Sequence, residues 1–276
     1  MKVTKASGEQ EIYNRQKLCN SLKAAGAPKD LVDRVCRMVE KEITPGMTTQ
    51  EISERTRAYL LKESPMHAAR YSLRRGIMEL GPSGFLFEQY VAALLKEYGY
   101  STKTNQIMKG ESGVFHEIDV FASTKDTHYI IEAKYHNSRG IKSDVTVVMY
   151  LYARLLDIEE YKREKEKEKH TAWLFTNTKF TRSAIQYGAY KNIRMTGWKY
   201  PKKESLEKLI EGKSLYPVTV LPSVNRYATE RFAERKLYFA KDLVSLNPQQ
   251  FKKLFGINQK IAQNIRKEAI LLCGQN

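Results

Sequence analysis

The middle of the chain alternates apolar and polar positions in two short runs that predict a β-hairpin. The first run is His116–Ala122, the second is Tyr129–Lys134, and the turn-forming segment Ser123–Thr127 separates them. Side chains of a strand point alternately to its two faces, so residues two apart lie ~7 Å apart on one face. The pattern therefore places Glu132 and Lys134 on the same face of the second strand.

These strands carry charge where the neighbouring positions are apolar. Asp119 lies between Ile118 and Val120, and the second strand contributes Glu132 and Lys134. Two carboxylates and an ammonium on one half-buried face are costly unless a cation or a substrate balances them. Carboxylate oxygens suit Mg²⁺, and a neighbouring lysine can orient or deprotonate a water. The alternative interpretation is a cross-strand salt bridge on an exposed hairpin face.

An amphipathic helix is predicted just before the hairpin, over residues 84–100. Its apolar positions follow helical spacing and Gly99 is placed to end it. The apolar stripe consists of Phe87, Val91, Leu94, Leu95 and Tyr98. Glu88 lies beside this stripe, above the small Ala92, so it either reaches the charged face of the hairpin or is an ordinary solvated glutamate.

This order of residues resembles the active-site signature of the PD-(D/E)xK nuclease superfamily, most closely that of the Mrr-type restriction endonuclease catalytic domain. Asp119 stands for the first acid, and Glu132-Ala133-Lys134 for the second acid and the lysine. In that family a helix with a glutamate precedes the hairpin, as Glu88 does here. The segment 173–184 also resembles the family's strand, threonine-containing turn and helix, with Thr181 as the helix cap. Many Mrr-type members have glutamine where Glu132 stands.

The resemblance implies an α/β fold, with a central mixed sheet flanked by helices, and a metal-dependent deoxyribonuclease acting on double-stranded DNA. Asp119 and Glu132 would bind Mg²⁺ or Mn²⁺, Lys134 would position the attacking water, and Glu88 would join the catalytic set. Glu117 shares a face with Asp119 and is a further candidate ligand. His116 and His136 flank the strands and are either hydrogen-bonded structural residues or substrate contacts.

The N-terminal segment has a pattern of its own. Residues 3–13 predict a short hairpin that turns at Ser7-Gly8, and Asn14 is placed to cap the following helix. Met47–Ile52 predicts a second helix start, and residues 68–75 form an arginine- and tyrosine-bearing helix. A helix start with free amides and nearby lysines is a good site for an anion.

This order resembles the ATP-cone, the nucleotide-sensing module of ribonucleotide reductases and their transcriptional repressor. The resemblance implies that Lys5 and Lys17 contact phosphates, and that Glu11, Asn14 and Thr49 lie around the base or ribose. Reductases carry Lys-Arg-Asp-Gly where this chain has Lys-Ala-Ser-Gly, so one basic contact is missing. The alternative is a small basic domain with surface lysines. No G-x-x-x-x-G-K-[ST] loop occurs in the chain, so bound ATP or dATP would act as an effector.

The C-terminal segment predicts two helices hinged at Gly256-Ile257. This resembles a helix-hairpin-helix, in which turn amides and a nearby lysine bind a DNA phosphate without reading sequence. By that resemblance Gly256, Asn258 and Lys260 would contact DNA. The alternative is a plain helical cap, with a core stripe formed by Leu254, Ile257, Ile261, Ile265 and Ala269.

Composition agrees with a polyanionic partner. The chain has 276 residues and a formal net charge of +16, which favours nucleic acid. No apolar run reaches the ~18 residues that span a bilayer, and no signal-peptide core stands at the N-terminus, so a cytoplasmic protein without a membrane partner is expected. The cysteines at positions 19, 36 and 273 are far apart, without a C-x-x-C pair, and are interpreted as reduced core residues.

Together these patterns predict three domains: a mostly helical cone with a short hairpin at 1–83, the nuclease domain at 84–200, and a basic, small helical region at 201–276. The turn-rich Gly81–Gly84 and the vicinity of Tyr200-Pro201 mark the boundaries. The favoured function is a Mg²⁺-dependent DNA endonuclease regulated by nucleotide, acting in restriction or defence as a homodimer or nucleotide-dependent oligomer. The alternative is a non-catalytic, nucleotide-responsive DNA-binding regulator.

Overall fold

The computed structural model describes residues 1–5, 8–81, 84–138, 140–162 and 170–273. Within these ranges the chain forms eleven α-helices and nine β-strands. It divides into two compact units. The first comprises Met1–Arg75, Val220–Ala228 and Ala240–Asn276, and the second comprises Gly76–Thr219 and Thr229–Phe239.

The N-terminal part has the predicted hairpin and helices. The elements are β1 (Lys2–Thr4), β2 (Gln10–Ile12), α1 (Arg15–Ala24), α2 (Lys29–Glu40), α3 (Thr49–Glu63) and α4 (Pro65–Met78). Strands β1 and β2 pair antiparallel, with Val3 opposite Glu11. The Asn14 side chain caps α1 by accepting from the Lys17 amide, and Thr48 forms a capping box with Glu51 at α3. Ala6 and Ser7, in the predicted turn, lie outside the described residues.

One prediction about the cysteines is wrong. Cys19 of α1 and Cys36 of α2 are core residues, as expected, but they form a disulfide, with Cα atoms 6.3 Å apart. Their separation of 17 residues gave no sequence signal, because the two sulfurs meet only when α1 and α2 pack face to face. Cys273 is a half-buried free thiol.

The second unit is built around a five-stranded mixed sheet. Its elements are α5 (Phe85–Glu97), β3 (Ser101–Lys109), β4 (Phe115–Ser123), β5 (His128–Lys134), β6 (Lys142–Ser143), α6 (Val145–Lys162), β7 (His170–Thr176), β8 (Lys179–Phe180), α7 (Arg182–Tyr190), β9 (Arg194–Thr196) and α8 (Leu206–Gly212). The strand order is β3-β4-β5-β7-β9. The first three strands pair antiparallel, and β5, β7 and β9 pair parallel. The predicted mixed sheet with flanking helices is confirmed.

Apolar burial fixes the elements that carry the candidate site. Helix α5 buries the predicted stripe, apart from Tyr98, which is partly exposed at the helix C-cap. Gly99 follows with φ 88°, a conformation that glycine adopts at little cost, and so ends the helix as predicted. Strand β7 is buried on both faces, as in a covered parallel sheet, and its largest side chain, Trp173, is 1% exposed. Thr181 caps α7 as predicted.

The C-terminal region is helical, as predicted. It contains α9 (Arg226–Glu234), α10 (Pro248–Phe255) and α11 (Gln259–Cys273). Gly256 ends α10 with φ 69°, so the hinge lies where the sequence placed it. The predicted core stripe needs two corrections, because Leu254 is only half-buried and Ile261 is 38% exposed, whereas the neighbouring Phe255 and Ala262 are buried. Each helix therefore turns a slightly different face to the core.

The described residues leave some sequence expectations untouched. Pro82 and Ser83, at a predicted boundary, lie outside them, and so do residues 163–169, part of a run of alternating basic and acidic residues that follows α6. At the end of that run His170 is buried and begins β7. The three-domain division stays a prediction. None of the helices in the described ranges is long and apolar enough to cross a membrane.

Candidate active site

The β4–β5 hairpin brings the two predicted metal ligands together. Val120 pairs with Ile131 across the hairpin, and both are fully buried. One residue before Val120, Asp119 accepts a hydrogen bond at Oδ2 from the Ala133 amide, at 2.8 Å. Asp119 is therefore tied to the backbone immediately after Glu132. Both carboxylates are half-buried.

Glu88 of α5 belongs to the same group of acids. Burial raises the pKa of Glu88 to about 7, and the charges of Asp119, Glu117 and Glu132 add to the effect in that order. Burial likewise raises the pKa of Asp119 to about 6, with Glu132 as the next largest contribution. Asp119, Glu117 and Glu132 therefore lie close enough to Glu88 for their negative charges to raise its pKa. This favours the interpretation of Glu88 as a site residue over a solvated one.

Lys134 lies at the end of β5, on the exposed side of the strand. The alternation predicted from the sequence is present, because Ile131 and Ala133 are buried whereas Glu132 is half-buried and Lys134 exposed. Lys134 pairs in register with Thr176 of the parallel strand β7. The lysine is thus held on a regular strand, two residues from Glu132.

A side-chain clamp fixes the chain just beyond Lys134. The His136 amide donates to Asn177 Oδ1 at 2.8 Å, and Asn177 Nδ2 donates to the His136 carbonyl at 2.9 Å. The His136 ring bonds to Ser143, and His116 bonds to Asp157 at 2.7 Å. Both histidines thus have structural hydrogen-bond partners, one of the two interpretations that the sequence left open.

Arg154 of α6 is the site residue that the sequence analysis missed. It is 7% exposed, its Nη1 donates to Glu132 Oε2 at 2.9 Å, and its guanidinium lies 4.7 Å from the centre of the Tyr150 ring. The available signal was an arginine inside a largely apolar helix, since a buried cation needs an acidic partner. Nothing in the local pattern identified Glu132 as that partner.

The residues present fit a magnesium ion in charge and chemistry. Their donors are hard carboxylate oxygens, and the raised pKa values of Glu88 and Asp119 reflect burial and negative charge that a cation would offset. Among the described residues, no three His, Cys, Asp or Glu side chains already converge as a metal cage. Mg²⁺ does not need one, because it usually keeps several waters and uses one or two carboxylates plus substrate phosphate.

The N-terminal residues singled out by the ATP-cone resemblance also cluster. One cavity of ≈ 230 Å³ is lined by Glu11, Asn14, Lys17 and Thr49. Its wall also contains Tyr13, Ser53 and Tyr71, which were not predicted from the sequence. Lys17 Nζ donates to Glu11 Oε2 at 2.8 Å. Lys5 does not line the cavity, but its Nζ lies 3.6 Å from the same Glu11 oxygen.

The C-terminal candidates lie together at the α10–α11 turn. Gly256 ends α10, the Asn258 side chain accepts from the Ile261 amide at the start of α11, and Lys260 is exposed. Two of the three residues therefore have a role in the turn itself. Their contact with DNA stays a prediction.

The chain resembles known proteins in two segments. The Mrr catalytic-domain family, described as restriction endonuclease, matches residues 81–199. That segment contains the whole mixed sheet and every acid and base of the candidate site. A second family, described as AF1548-like, C-terminal, matches residues 216–273. The central domain is thus a restriction-endonuclease-like domain.

A relative from Archaeoglobus fulgidus, described only as an uncharacterized protein, is 37% identical over 184 residues, which is 67% of this chain and 100% of the relative. The crystal structure of the protein of unknown function AF1548 matches with a TM-score of 0.60 and 36% identity, covering 70% of this chain and 100% of that one. The chain belongs to the AF1548-like family.

Proposed function

We propose that this protein is a Mg²⁺-dependent endonuclease that hydrolyses phosphodiester bonds of double-stranded DNA, in restriction or another defence against foreign DNA. The proposal is supported by two half-buried acids of one hairpin, Asp119 and Glu132, whose charges also raise the pKa of Glu88, all in a restriction-endonuclease-like domain. A protein that only binds DNA would gain little from keeping two acids where the phosphates would lie. The net charge of +16 supplies the general attraction to the polyanion.

Each residue has a distinct part in this reaction. Asp119 and Glu132 would hold the ion, which supplies a water of lowered pKa and offsets charge on the phosphate. Lys134 orients the attacking water and stabilises the negative charge that develops on the scissile phosphate. Glu88, whose pKa burial raises to about 7 in the metal-free protein, would be the carboxylate beside these acids that accepts a proton from the nucleophile.

The direct test is cleavage of plasmids of different methylation state, with Mg²⁺ or Mn²⁺ and after chelation by EDTA. We expect cleavage that requires the metal and is restored when the metal is added back. Fragments mapped by sequencing give the recognised site or modification. Binding to DNA without cleavage of any duplex, branched or modified substrate would instead identify a regulator.

The N-terminal cavity supports a second part of the proposal, in which ATP or dATP binds as an effector. The cavity contains an exposed lysine for phosphate, and Glu11, Asn14 and Thr49 as polar partners for a base or ribose. The described residues contain one candidate nuclease site per chain, so two chains acting together would cut the two strands of a duplex. The proposal is that nucleotide binding changes how chains assemble as a homodimer or larger oligomer.

Replacing Lys17 with alanine will weaken ATP and dATP binding by about tenfold or more, because one phosphate contact is worth about 1.5–3 kcal/mol. Isothermal titration calorimetry measures the affinity, and sizing chromatography measures assembly with each nucleotide. Lys41→Ala, which removes an exposed lysine at the end of α2, is the matched control. Equal affinity of the two variants and the wild type would reject the cavity as the nucleotide site.

A further inference from the structure

We infer that Arg154 is a positioning residue that presents Glu132 to the metal ion through a single carboxylate oxygen. The inference rests on the proposed function, because it concerns the same acids. It adds a residue from a different element, α6, to the two strands of the hairpin. It also specifies how each acid is oriented.

Each of the two metal-binding candidates already has one oxygen anchored. Asp119 Oδ2 accepts from the Ala133 amide at 2.8 Å, and Glu132 Oε2 accepts from Arg154 Nη1 at 2.9 Å. The second oxygens, Asp119 Oδ1 and Glu132 Oε1, accept no hydrogen bond from any other described residue. The arrangement holds one oxygen of each acid and leaves the other oxygen of each for a cation.

The two anchors differ in kind. The Ala133 amide belongs to β5 itself, so the orientation of Asp119 follows from hairpin register alone. Glu132 is instead held by the side chain of Arg154, which belongs to helix α6 and not to the sheet. That side chain is held rigidly, since Arg154 is 7% exposed and lies against the ring of Tyr150. A planar guanidinium held in this way is a fixed donor for a carboxylate.

The ion pair between Arg154 and Glu132 is poorly explained by a contribution to folding stability alone. A buried ion pair often contributes no more to stability than apolar residues of the same volume would. Here the acid is only half-buried, and it lies beside Asp119 and Glu88, whose charges repel it. Arg154 offsets part of this repulsion and holds one oxygen of the acid in place. Partners of this type around metal ligands raise metal affinity by orienting the ligand.

The test is Mg²⁺ affinity of the full-length protein, measured by calorimetry without DNA, for Arg154→Met and Arg154→Lys. We expect the methionine variant to bind Mg²⁺ about 10–100-fold more weakly, the usual effect of removing such a partner. The lysine variant keeps the charge but loses the planar fork, so its affinity should lie between methionine and wild type. If the methionine variant does not fold, as judged by circular dichroism, the lysine variant alone decides.

Arg194→Met is the matched control. Like Arg154, Arg194 pairs with a glutamate, Glu204, at 3.0 Å and lies against an aromatic ring, that of Trp173, although Arg194 is only partly buried. Its loss should lower the unfolding temperature without changing Mg²⁺ affinity. Unchanged or tighter Mg²⁺ binding by the Arg154 variants would overturn the inference and show that the arginine competes with the ion. A wild type that neither binds Mg²⁺ nor cuts DNA rejects the proposed function, and the inference falls with it.

Discussion

Replacing Lys134 with alanine should lower the rate of DNA cleavage by about 10³-fold while leaving DNA affinity within about twofold. The lysine is exposed at the end of β5, two residues after Glu132, and under the proposed function its ammonium would contact the water and the scissile phosphate. Single-turnover cleavage of a labelled duplex gives the rate. Fluorescence anisotropy in Ca²⁺ gives the affinity.

The large ratio between these two effects follows from where the charge acts. A lysine that orients the nucleophile contributes mainly when negative charge grows in the transition state, and little to binding of the intact duplex. Lys142→Ala is the matched control, because it removes an exposed lysine eight residues further along the same domain. If both variants lose the same factor in cleavage rate, or if the DNA affinity of Lys134→Ala falls as much as its rate, then Lys134 is only one of many phosphate contacts.

Replacing Asp119 with asparagine should abolish cleavage and yet stabilise the metal-free protein above pH 7, by about 1–2 kcal/mol. The pKa of Asp119 moves from its ordinary 3.8 to about 6 because of burial and the charge of Glu132. A pKa difference of about two corresponds to about 3 kcal/mol of stability, and partial exposure of the carboxyl reduces this figure. Asparagine can still accept from the Ala133 amide but carries no charge.

The pH dependence has a definite sign. A carboxyl whose pKa is raised by folding binds more protons in the folded state, so stability falls as pH rises through the interval between the two pKa values. For Asp119 that interval runs from 3.8 to about 6, and Glu88 extends it to about 7. The wild type should therefore lose stability from pH 4 to pH 7, and Asp119→Asn should lose less.

Urea denaturation at pH 5 and pH 8, with and without Mg²⁺, measures these free energies of unfolding. Magnesium should stabilise the wild type at pH 8 and have little effect on Asp119→Asn, because the ion needs the charged oxygen. Asp126→Asn, at an exposed position in the β4–β5 turn, is the control. A variant less stable than the wild type at pH 8 would show that Asp119 is not under electrostatic strain.

The site was accessible to sequence reasoning where it depends on local periodicity. Alternation along β4 and β5 placed Asp119, Glu132 and Lys134, since residues two apart share a strand face whatever surrounds them. The helical stripe of α5 predicted the element that carries Glu88 but could not say whether that side chain reached the acids. That outcome depends on how α5 packs on the sheet.

Contacts between distant segments were beyond any local pattern. Arg154 meets Glu132 across 22 residues, Asn177 clamps His136 across 41, and Cys19 meets Cys36 across a pair of helices. Ile261 was placed in the core by spacing alone, and only packing showed that Ala262 takes its place.

The amino-acid sequence by itself determined the elements, the mixed α/β class, the acids and lysine on the hairpin, and the capped helices of the N-terminal segment. These follow from side-chain periodicity, capping and turn chemistry, which act over a few residues. Only the tertiary structure decided that Glu88 joins the acids, that Arg154 anchors Glu132, and that four predicted nucleotide-site residues line one cavity. Those facts arise from the packing of elements far apart in the chain, which brings charges together at distances that no spacing rule encodes.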